Sequence, residues 1–306
     1  MTQISIVIPT FKRPDDLSRL LQSIDQDVHG RDDVMIIVAD NDVNETARET
    51  VEAFRAATQH PVHYTVAPEP GVSNARNAGM AQVMSRYVLF IDDDMEVVAP
   101  YLEPLLAAQA KLGTTITFSP VMAVLPDGRD SWQPWLAPLF SRNLDGPTRL
   151  LDETHGTGGC LIDLQNMALP SPVFDPTLNE VGGEDDAFFN ALLAQGARAG
   201  WCAEATALEH VPPHRATLAY MWRRHFAFGQ TPAREAADRG LSGMMDIAKW
   251  MAVGSIQTLI HGTAFIAMKA LGRTASIGQL GRLAQGVGKI FWWDGLSPRF
   301  YGVNAR

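Results

Sequence analysis

The sequence predicts an α/β fold in which helices cover both faces of a mostly parallel central sheet, plus a helical C-terminal extension. Over the first 120 residues, short apolar runs rich in β-branched residues alternate with segments whose apolar residues recur at helical spacing. Polar residues follow several of the apolar runs, and ligands of such sheets bind beyond the carboxyl ends of the strands. We expect a main domain at residues 1–230 and the extension at residues 231–306.

The elements are expected in alternating order. Pro14 suits the first turn of the first helix, and Leu17, Leu21 and Ile24 then recur at helical spacing. Val51 and Phe54 give the second helix an apolar side. The predicted strands cover residues 4–9, 34–40, 62–67 and 87–92, and a third helix covers residues 73–85.

Composition and charge limit the class of protein. The chain has 306 residues, 46% of them hydrophobic and 19% charged, which is enough to bury a large core. Its net charge of −9 disfavours nucleic acid as a partner, because phosphates require a basic face. The two cysteines, Cys160 and Cys202, rule out a disulfide framework. Together with an N-terminus that lacks a secretory signal, they predict a cytoplasmic protein.

Three polar clusters should line one edge of the sheet, because each follows a predicted strand. Adjacent carboxylates repel one another, and a hard divalent cation such as Mg²⁺ or Mn²⁺ would relieve that repulsion. If strand geometry continued, Asp92 and Asp94 would point to one side and Asp93 to the other. A solvated acidic turn is the alternative. The clusters are Thr10, Lys12 and Arg13; Asp40, Asn41 and Asp42; and Asp92, Asp93 and Asp94.

A second acidic cluster opens a predicted helix. Glu184, Asp185 and Asp186 precede a segment with an apolar side, in the stretch NEVGGEDDAFFNALLAQG. A helix N-terminus favours negative charge, so this cluster also has a purely structural explanation.

Five segments in order resemble one enzyme family. ISIVIPTFKRPDDLSRLLQSI, VADNDVNE, GVSNARNAGM, YVLFIDDDMEV and FDPTLNEVGGEDDAFF are similar to the motifs of family 2 glycosyltransferases, over about residues 3–230. That resemblance implies a GT-A fold and inverting transfer from a nucleotide-sugar donor, most similar to bacterial exopolysaccharide or surface-glycan enzymes. The implied donor is a UDP-sugar, and the implied acceptor is a glycan or a lipid-linked oligosaccharide.

The resemblance also implies residue roles. Asp185 would be the catalytic base and Glu184 would orient the acceptor, while Asp186 stays open as an alternative base. Asp92 and Asp94 would hold the metal, with His210 as a candidate third ligand. The positions expected to contact the donor are Asp40, at its uracil edge, together with Pro9, Thr10, Arg13, Asn74, Arg76, Asn77, Asp93, Arg223 and Arg224.

Two loops have no assigned motif. HGTGGCLI, at residues 155–162, has three glycines but lacks the Lys and Ser or Thr of a phosphate-binding loop. We interpret it as a strand entry beside the sugar pocket. SWQPWLAPLF, at residues 131–140, is either an acceptor-binding loop or a packed loop.

The C-terminal segment differs in charge from the rest. Residues 247–306 carry +6, which leaves −15 on residues 1–246. Residues 250–268 lack formal charge, but their polar side chains make a membrane span costly. We expect a segment lying on anionic lipid at the inner face of the cell membrane, with Phe291, Trp292 and Trp293 at the interface. A span, or packing on the catalytic domain or in a homodimer, is the alternative.

The sequence gives less support to two other functions. A sugar-nucleotide nucleotidyltransferase should show a glycine-rich loop bearing Lys after the first strand, and PTFKRPDD has no glycine. A non-catalytic sugar-nucleotide-binding protein is disfavoured because both acidic clusters are intact.

Overall fold

The computed structural model describes residues 3–179 and 182–298, so Arg299 and Arg306 of the basic segment lie outside the described residues. Within this range the chain forms two compact units. The first comprises residues 3–122 and 141–210, and the second comprises residues 123–140 and 211–298. The boundary expected at residue 230 instead lies inside a continuous helix, Leu218–Asp238.

Eight strands form the central sheet, in the order β3-β2-β1-β4-β9-β6-β10-β8. The pairs β1–β2, β1–β4, β2–β3 and β6–β10 are parallel, whereas β9 runs antiparallel to β4 and β6. A small second sheet has the order β5-β11-β7. The strands are β1 (Ile4–Thr10), β2 (Val34–Asp40), β3 (Val62–Val66), β4 (Tyr87–Phe90), β5 (Met95–Val98), β6 (Ile116–Phe118), β7 (Val121–Val124), β8 (Arg149–Leu151), β9 (Cys160–Asp163), β10 (Ala199–Trp201) and β11 (Thr206–His210).

Helices pack on both faces of the central sheet, as predicted. Strand alternation sends Ile6 of β1 to the core that contains Leu20, and Val7 to the core that contains Met80 and Phe188. The described helices are α1 (Pro14–Asp27), α2 (Arg48–Ala57), α3 (Val72–Met80), α4 (Leu102–Leu112), α5 (Gln133–Leu136), α6 (Glu184–Leu193), α7 (Leu218–Asp238), α8 (Met244–Ala270) and α9 (Ser276–Ile290).

The sheet brings the predicted polar clusters to one edge. Thr10 and Asp40 are paired in the parallel register of β1 and β2. Strand β4 ends at Phe90, two residues earlier than expected, and the Met95 N–H donates to the Asp92 carbonyl to close a turn. The three aspartates therefore lie in a turn beyond the strand, where strand alternation no longer sets their directions.

The second unit contains the predicted C-terminal helices. Helix α9 contacts both α7 and α8. Its backbone approaches α7 so closely that a Cβ on Gly229 would lie 2.2 Å from the carbonyl oxygen of Gln285. Residues 131–140 form short helical turns in the same unit, and Leu136 is buried there. The loop is therefore packed, although its alternative role in acceptor binding stays open.

Candidate active site

Arg13 holds two of the three adjacent aspartates. Its Nη1 donates to Asp93 Oδ1 at 2.9 Å and to Asp94 Oδ2 at 2.8 Å, while Thr10 Oγ1 donates to Asp93 Oδ2 at 2.8 Å. Burial raises the pKa of Asp93 to about 7, although the Arg13 charge opposes this shift. The end of β1 thus anchors the acidic turn.

The Asp92 carboxylate points elsewhere. Its Oδ1 lies 3.5 Å from Arg76 Nη2, and its side chain is 36% exposed. The expectation that Asp92 and Asp94 share one side and Asp93 points away is therefore wrong in this structure. The turn that begins after Phe90 groups Asp93 with Asp94 and separates Asp92 from both.

Arg76 connects the two acidic clusters. Its Nη1 donates to Glu184 Oε1 at 2.9 Å and to Asp185 Oδ1 at 2.8 Å, and its Nη2 faces Asp92. The Arg76 residue is only 5% exposed. Burial works against its charged form, but Asp185, Asp92 and Glu184 outweigh this effect and raise the pKa of Arg76. Arg76, which was expected to contact the donor, therefore holds the predicted base, Asp185, close to the predicted metal ligand, Asp92.

The glycine-rich loop before β9 closes the other side of the site. Thr157 donates through its N–H to Asp185 Oδ2 and through Oγ1 to Asp185 Oδ1, each at 3.1 Å. A Cβ on Gly158 would lie 2.6 Å from Asp92 Oδ2 and from Met95 Cε, so a larger residue here would displace the Asp92 carboxylate. HGTGGCLI does enter a strand, and it touches both acidic clusters. Asp186 is exposed, unlike the half-buried Glu184 and Asp185.

Sequence reasoning missed Arg142 and Thr157. Arg142 Nη1 donates to the Gly156 carbonyl at 2.8 Å, Nε donates to the Ser119 carbonyl at 3.0 Å, and Nη2 donates to the carbonyls of Gly158 and Gly159. Burial lowers the pKa of Arg142. The guanidinium holds the loop that carries Thr157. The glycine spacing could have drawn attention to Thr157, but no local pattern marks Arg142.

The carboxylates provide a partial metal site. Among the residues that the structure describes, no group of three or more His, Cys, Asp and Glu side chains is placed to hold a metal ion. The imidazole of His210 instead bonds through Nε2 to Glu96 Oε2, at 2.7 Å. The backbone N–H of His210 does donate to the backbone carbonyl of Asp94, so the residue lies near the acidic turn. Asp92 has a partly exposed carboxylate, and oxygen ligands suit Mg²⁺ and Mn²⁺. The site therefore fits a cation that brings further oxygen ligands with it, as a nucleoside diphosphate does.

Asp40 has a geometry that does not agree with its expected contact to uracil. The residue is fully buried, and its Oδ1 accepts from the Asp42 N–H at 2.9 Å. Its Oδ2 accepts from the Ala47 N–H at 3.0 Å and from the Tyr64 hydroxyl at 2.8 Å. A base could reach the remaining lone-pair site of this carboxylate only if the surrounding residues moved to expose it. Asp40 acts here as a brace between β2, β3 and the start of α2.

The other two expected residues of α3, Asn74 and Asn77, also bond within the protein. The Asn77 amide donates to the Phe174 carbonyl and accepts from the Phe174 N–H, at 2.8 and 2.9 Å. Asn74 donates to the Pro70 carbonyl at 3.1 Å. Asn41, which had no expected role, bonds to the Ala67 and Glu69 carbonyls and to the Gly71 N–H. These contacts shape the loop beside the sheet edge.

Three residues that were expected to contact the donor remain: Pro9 in the first unit, and Arg223 and Arg224 in the second. Pro9 is buried in β1 beside Thr10. Arg223 and Arg224 lie on α7 in the second unit, where Arg224 stacks over Phe228. The expected phosphate contacts of both arginines stay predictions.

Comparison with known proteins gives a consistent family. The family model described as glycosyl transferase family 2 matches residues 5–162, which is more than half of the chain. The succinoglycan biosynthesis protein ExoM of Rhizobium meliloti (strain 1021) is 30% identical over 247 residues, covering 80% of this chain and 79% of that protein. A validoxylamine A glucosyltransferase of Streptomyces hygroscopicus subsp. jinggangensis (strain 5008) is 27% identical over 109 residues, 35% of this chain and 25% of that protein.

Solved structures show the same fold. S. aureus TarS 1–349 is similar with a TM-score of 0.53 at 14% identity, covering 99% of this chain and 100% of that one. The complex of TarS 1–349 with UDP-GlcNAc has a TM-score of 0.51 at 15% identity, covering 80% of this chain and 70% of that one. At such identities the likeness concerns the fold alone. The fold is the predicted one.

Proposed function

This chain belongs to glycosyl transferase family 2, and on that premise we propose that it moves a sugar from a UDP-sugar to a hydroxyl of a glycan or lipid-linked oligosaccharide. The relative named for succinoglycan biosynthesis supports a role in bacterial exopolysaccharide synthesis. The similar fold solved with UDP-GlcNAc supports the donor class. The observation that carries the proposal is the Arg76 bridge, which places Asp92 beside Glu184 and Asp185.

The proposed reaction is a single displacement with inversion. Asp185 takes the proton of the acceptor hydroxyl while the hydroxyl oxygen bonds to the anomeric carbon and the bond from that carbon to the diphosphate oxygen breaks. The nucleoside diphosphate leaves with the bonding electron pair. A carboxylate suffices as the base, because the hydroxyl becomes acidic only as the new bond forms. Arg76 and Thr157 hold Asp185 in a fixed orientation for this step.

Asp92 and Asp94 would hold a Mg²⁺ or Mn²⁺ ion, whose charge would stabilise the departing diphosphate. Because Asp94 is bonded to Arg13, this arrangement also brings Arg13 and Thr10 next to the donor. We keep His210 as a prediction for the third ligand, since its imidazole would have to leave Glu96.

We also propose that the enzyme works at the inner face of the cell membrane, where a lipid-linked acceptor would be presented. The basic, apolar C-terminal segment supports this location. Association of two copies into a homodimer stays a prediction.

Calorimetric titration with UDP tests the donor site. We expect binding that requires Mn²⁺ or Mg²⁺ and that is lost in an Asp92→Asn/Asp94→Asn double variant. The exposed Asp186→Asn substitution is the matched control and should bind as the wild type does. Absence of binding to UDP from a folded wild-type protein, with either metal, would contradict the proposal.

A transfer assay tests the base. UDP release would be followed with a panel of UDP-sugars and extracted bacterial lipids as acceptors. Asp185→Asn should retain UDP binding but lower transfer by about 10²–10⁴-fold, as expected for removal of a general base. If Asp186→Asn lowered transfer by that factor and Asp185→Asn did not, the roles would be reversed.

A further inference from the structure

Helix α8 has an unusually apolar exposed side. We call Met245, Ile256, Leu259, Ile260 and Ile266 the outer α8 face; each is between 56 and 86% exposed. The helix is the one element among the described residues that is long and apolar enough to span a membrane, and only 6% of its most apolar window is buried. A core helix of a soluble protein would bury such residues. An apolar surface of this kind indicates an interaction site.

Most of the uncharged polar side chains of α8 bond within the protein. Gln257 donates to the Arg282 carbonyl and accepts from Lys289 Nζ, both at 2.9 Å, and His261 bonds to Gln279 at 2.7 Å. Ser255 and Thr263 donate to carbonyls of the preceding helical turn. The hydroxyl of Thr258 faces α9 beside Gly286 and has no hydrogen-bond partner among the described residues. The other uncharged polar groups that counted against membrane contact in the sequence are satisfied within the protein.

Packing on α9 decides against a membrane span. A Cβ on Gly254 would lie 2.6 Å from the Gly286 carbonyl oxygen, so the backbones of α8 and α9 are in close contact. Helix α9 is equally close to α7. A span would carry the charged groups of Arg282 and Lys289 toward the hydrocarbon, at a cost of several kcal/mol. A helix that lies parallel to a bilayer needs only one apolar face.

The basic residues around the outer α8 face favour anionic lipid over a second copy of α8 as its partner. Asp246 is the only acid in the sequence between residues 244 and 290, and it is paired with Arg239. The exposed bases nearby are Lys249, Lys269, Arg273 and Arg282. These bases would repel one another across a symmetric contact between two copies of α8, but they would attract anionic headgroups.

We propose that the outer α8 face docks on an anionic lipid bilayer, with α8 parallel to the surface and its apolar side chains in the interfacial layer. From Met245 to Ile266 the helix covers about 30 Å at 1.5 Å per residue, so the face extends along most of α8. Docking of this surface would hold the protein at a membrane that presents a lipid-linked acceptor, and in that respect the inference rests on the proposed function. Lipid binding itself does not depend on glycosyl transfer.

Vesicle flotation of the full chain tests the proposal. Vesicles of phosphatidylcholine with about 30% phosphatidylglycerol should bind the wild type, and pure phosphatidylcholine should bind it more weakly. Ile256→Glu/Ile260→Glu should lower the bound fraction by about tenfold, because it places charge in the interfacial layer. Met84→Glu is the matched control, since Met84 is an exposed methionine in the first unit, and it should bind as the wild type does.

A label on the helix reports the contact directly. Cys160 and Cys202 are buried, so an Ile256→Cys variant can carry an environment-sensitive fluorophore at one site. Its emission should shift to the blue on anionic vesicles, whereas the same label at Met84→Cys should not respond. No wild-type binding, or binding unchanged in Ile256→Glu/Ile260→Glu, would overturn the proposal. A dimer that this double variant converts to monomer, without lipid binding, would assign the face to a second copy. UDP titration of the same variants separates these outcomes from failure of the proposed function.

Discussion

Arg76 illustrates how much of the site depends on one residue. A guanidinium offers several donors in a planar fork, so it can bond to Glu184 and Asp185 while also facing Asp92. Lysine has the same charge but concentrates it at one atom. The chemistry of the site therefore depends on the shape of this cation as well as on its charge.

Arg76→Lys should leave at least one of the three carboxylates without its partner. We expect transfer to fall by about 10²-fold, because a misplaced base loses the productive geometry. Arg76→Met should in addition lower the free energy of unfolding by about 3 kcal/mol, the loss typical of a buried charge left unpaired. Urea denaturation measures the second effect. An unchanged unfolding midpoint in Arg76→Met would contradict it.

Arg142 acts on Asp185 indirectly, through the loop that carries Thr157. Its guanidinium bonds to the carbonyls of Gly156, Gly158 and Gly159, and the same loop places Thr157 on Asp185. We predict that Arg142→Met lowers the rate of transfer by about 10²-fold through displacement of that loop. Metal-dependent UDP binding should fall much less than transfer, because Arg13 and Asp94 do not contact this loop, although Gly158 approaches Asp92.

Arg142→Lys is the matched variant and should recover part of the activity, since an ammonium can still bond to one or two of the carbonyls. A parallel loss of UDP binding and transfer in Arg142→Met, together with a lower unfolding midpoint, would show a general structural role and would contradict the positioning role.

At the level of elements, the contact between α7 and α9 contains a titratable group. His225 Nδ1 lies 3.0 Å from Gln285 Nε2, and a Cβ on Gly281 would lie 2.8 Å from the imidazole. Burial, with the Arg224 charge as a second cause, lowers the pKa of His225 below its usual 6.5. The folded state therefore binds a proton less readily than the unfolded state does.

It follows that His225 contributes stability that is fully present above about pH 6.5 and is lost as the pH falls toward the lower folded-state pKa. We expect the urea midpoint of the wild type to decrease between pH 7.5 and pH 5.5. His225→Asn should show a smaller decrease over the same range. An equal decrease in both proteins would mean that other groups cause the pH dependence.

At the scale of the whole molecule, two compact units carry different properties. The first contains the acidic clusters and the sheet edge, and the second contains the exposed face of α8. Removing residues 247–306 would also remove α9, which contacts α7, so a deletion would damage the second unit as well as the lipid-binding face. Point substitutions on exposed residues are the better test of membrane contact.

Donor binding should stabilise the first unit. UDP with Mn²⁺ at 100 times its Kd should add about 2.7 kcal/mol to the stability of the state that binds it. Scanning calorimetry is expected to show a higher transition temperature for the wild type but not for Asp92→Asn/Asp94→Asn. A similar increase in both proteins would place the nucleotide away from the acidic turn.

The sequence by itself determined the alternation of strands and helices, the edge of the sheet that carries polar residues, and the family, because these follow from local periodicity and from the order of motifs. It also predicted that Glu184 and Asp185 belong to the site. The tertiary structure decided which groups meet there: Asp93 pairs with Asp94 at Arg13, and Arg76 joins Asp92 to Asp185. It likewise decided that Asp40 is buried and that Gln257 and His261 of α8 bond to α9. Periodicity determines the direction of a side chain only within one element, whereas ion pairs and burial depend on which loops and helices approach one another in the folded chain.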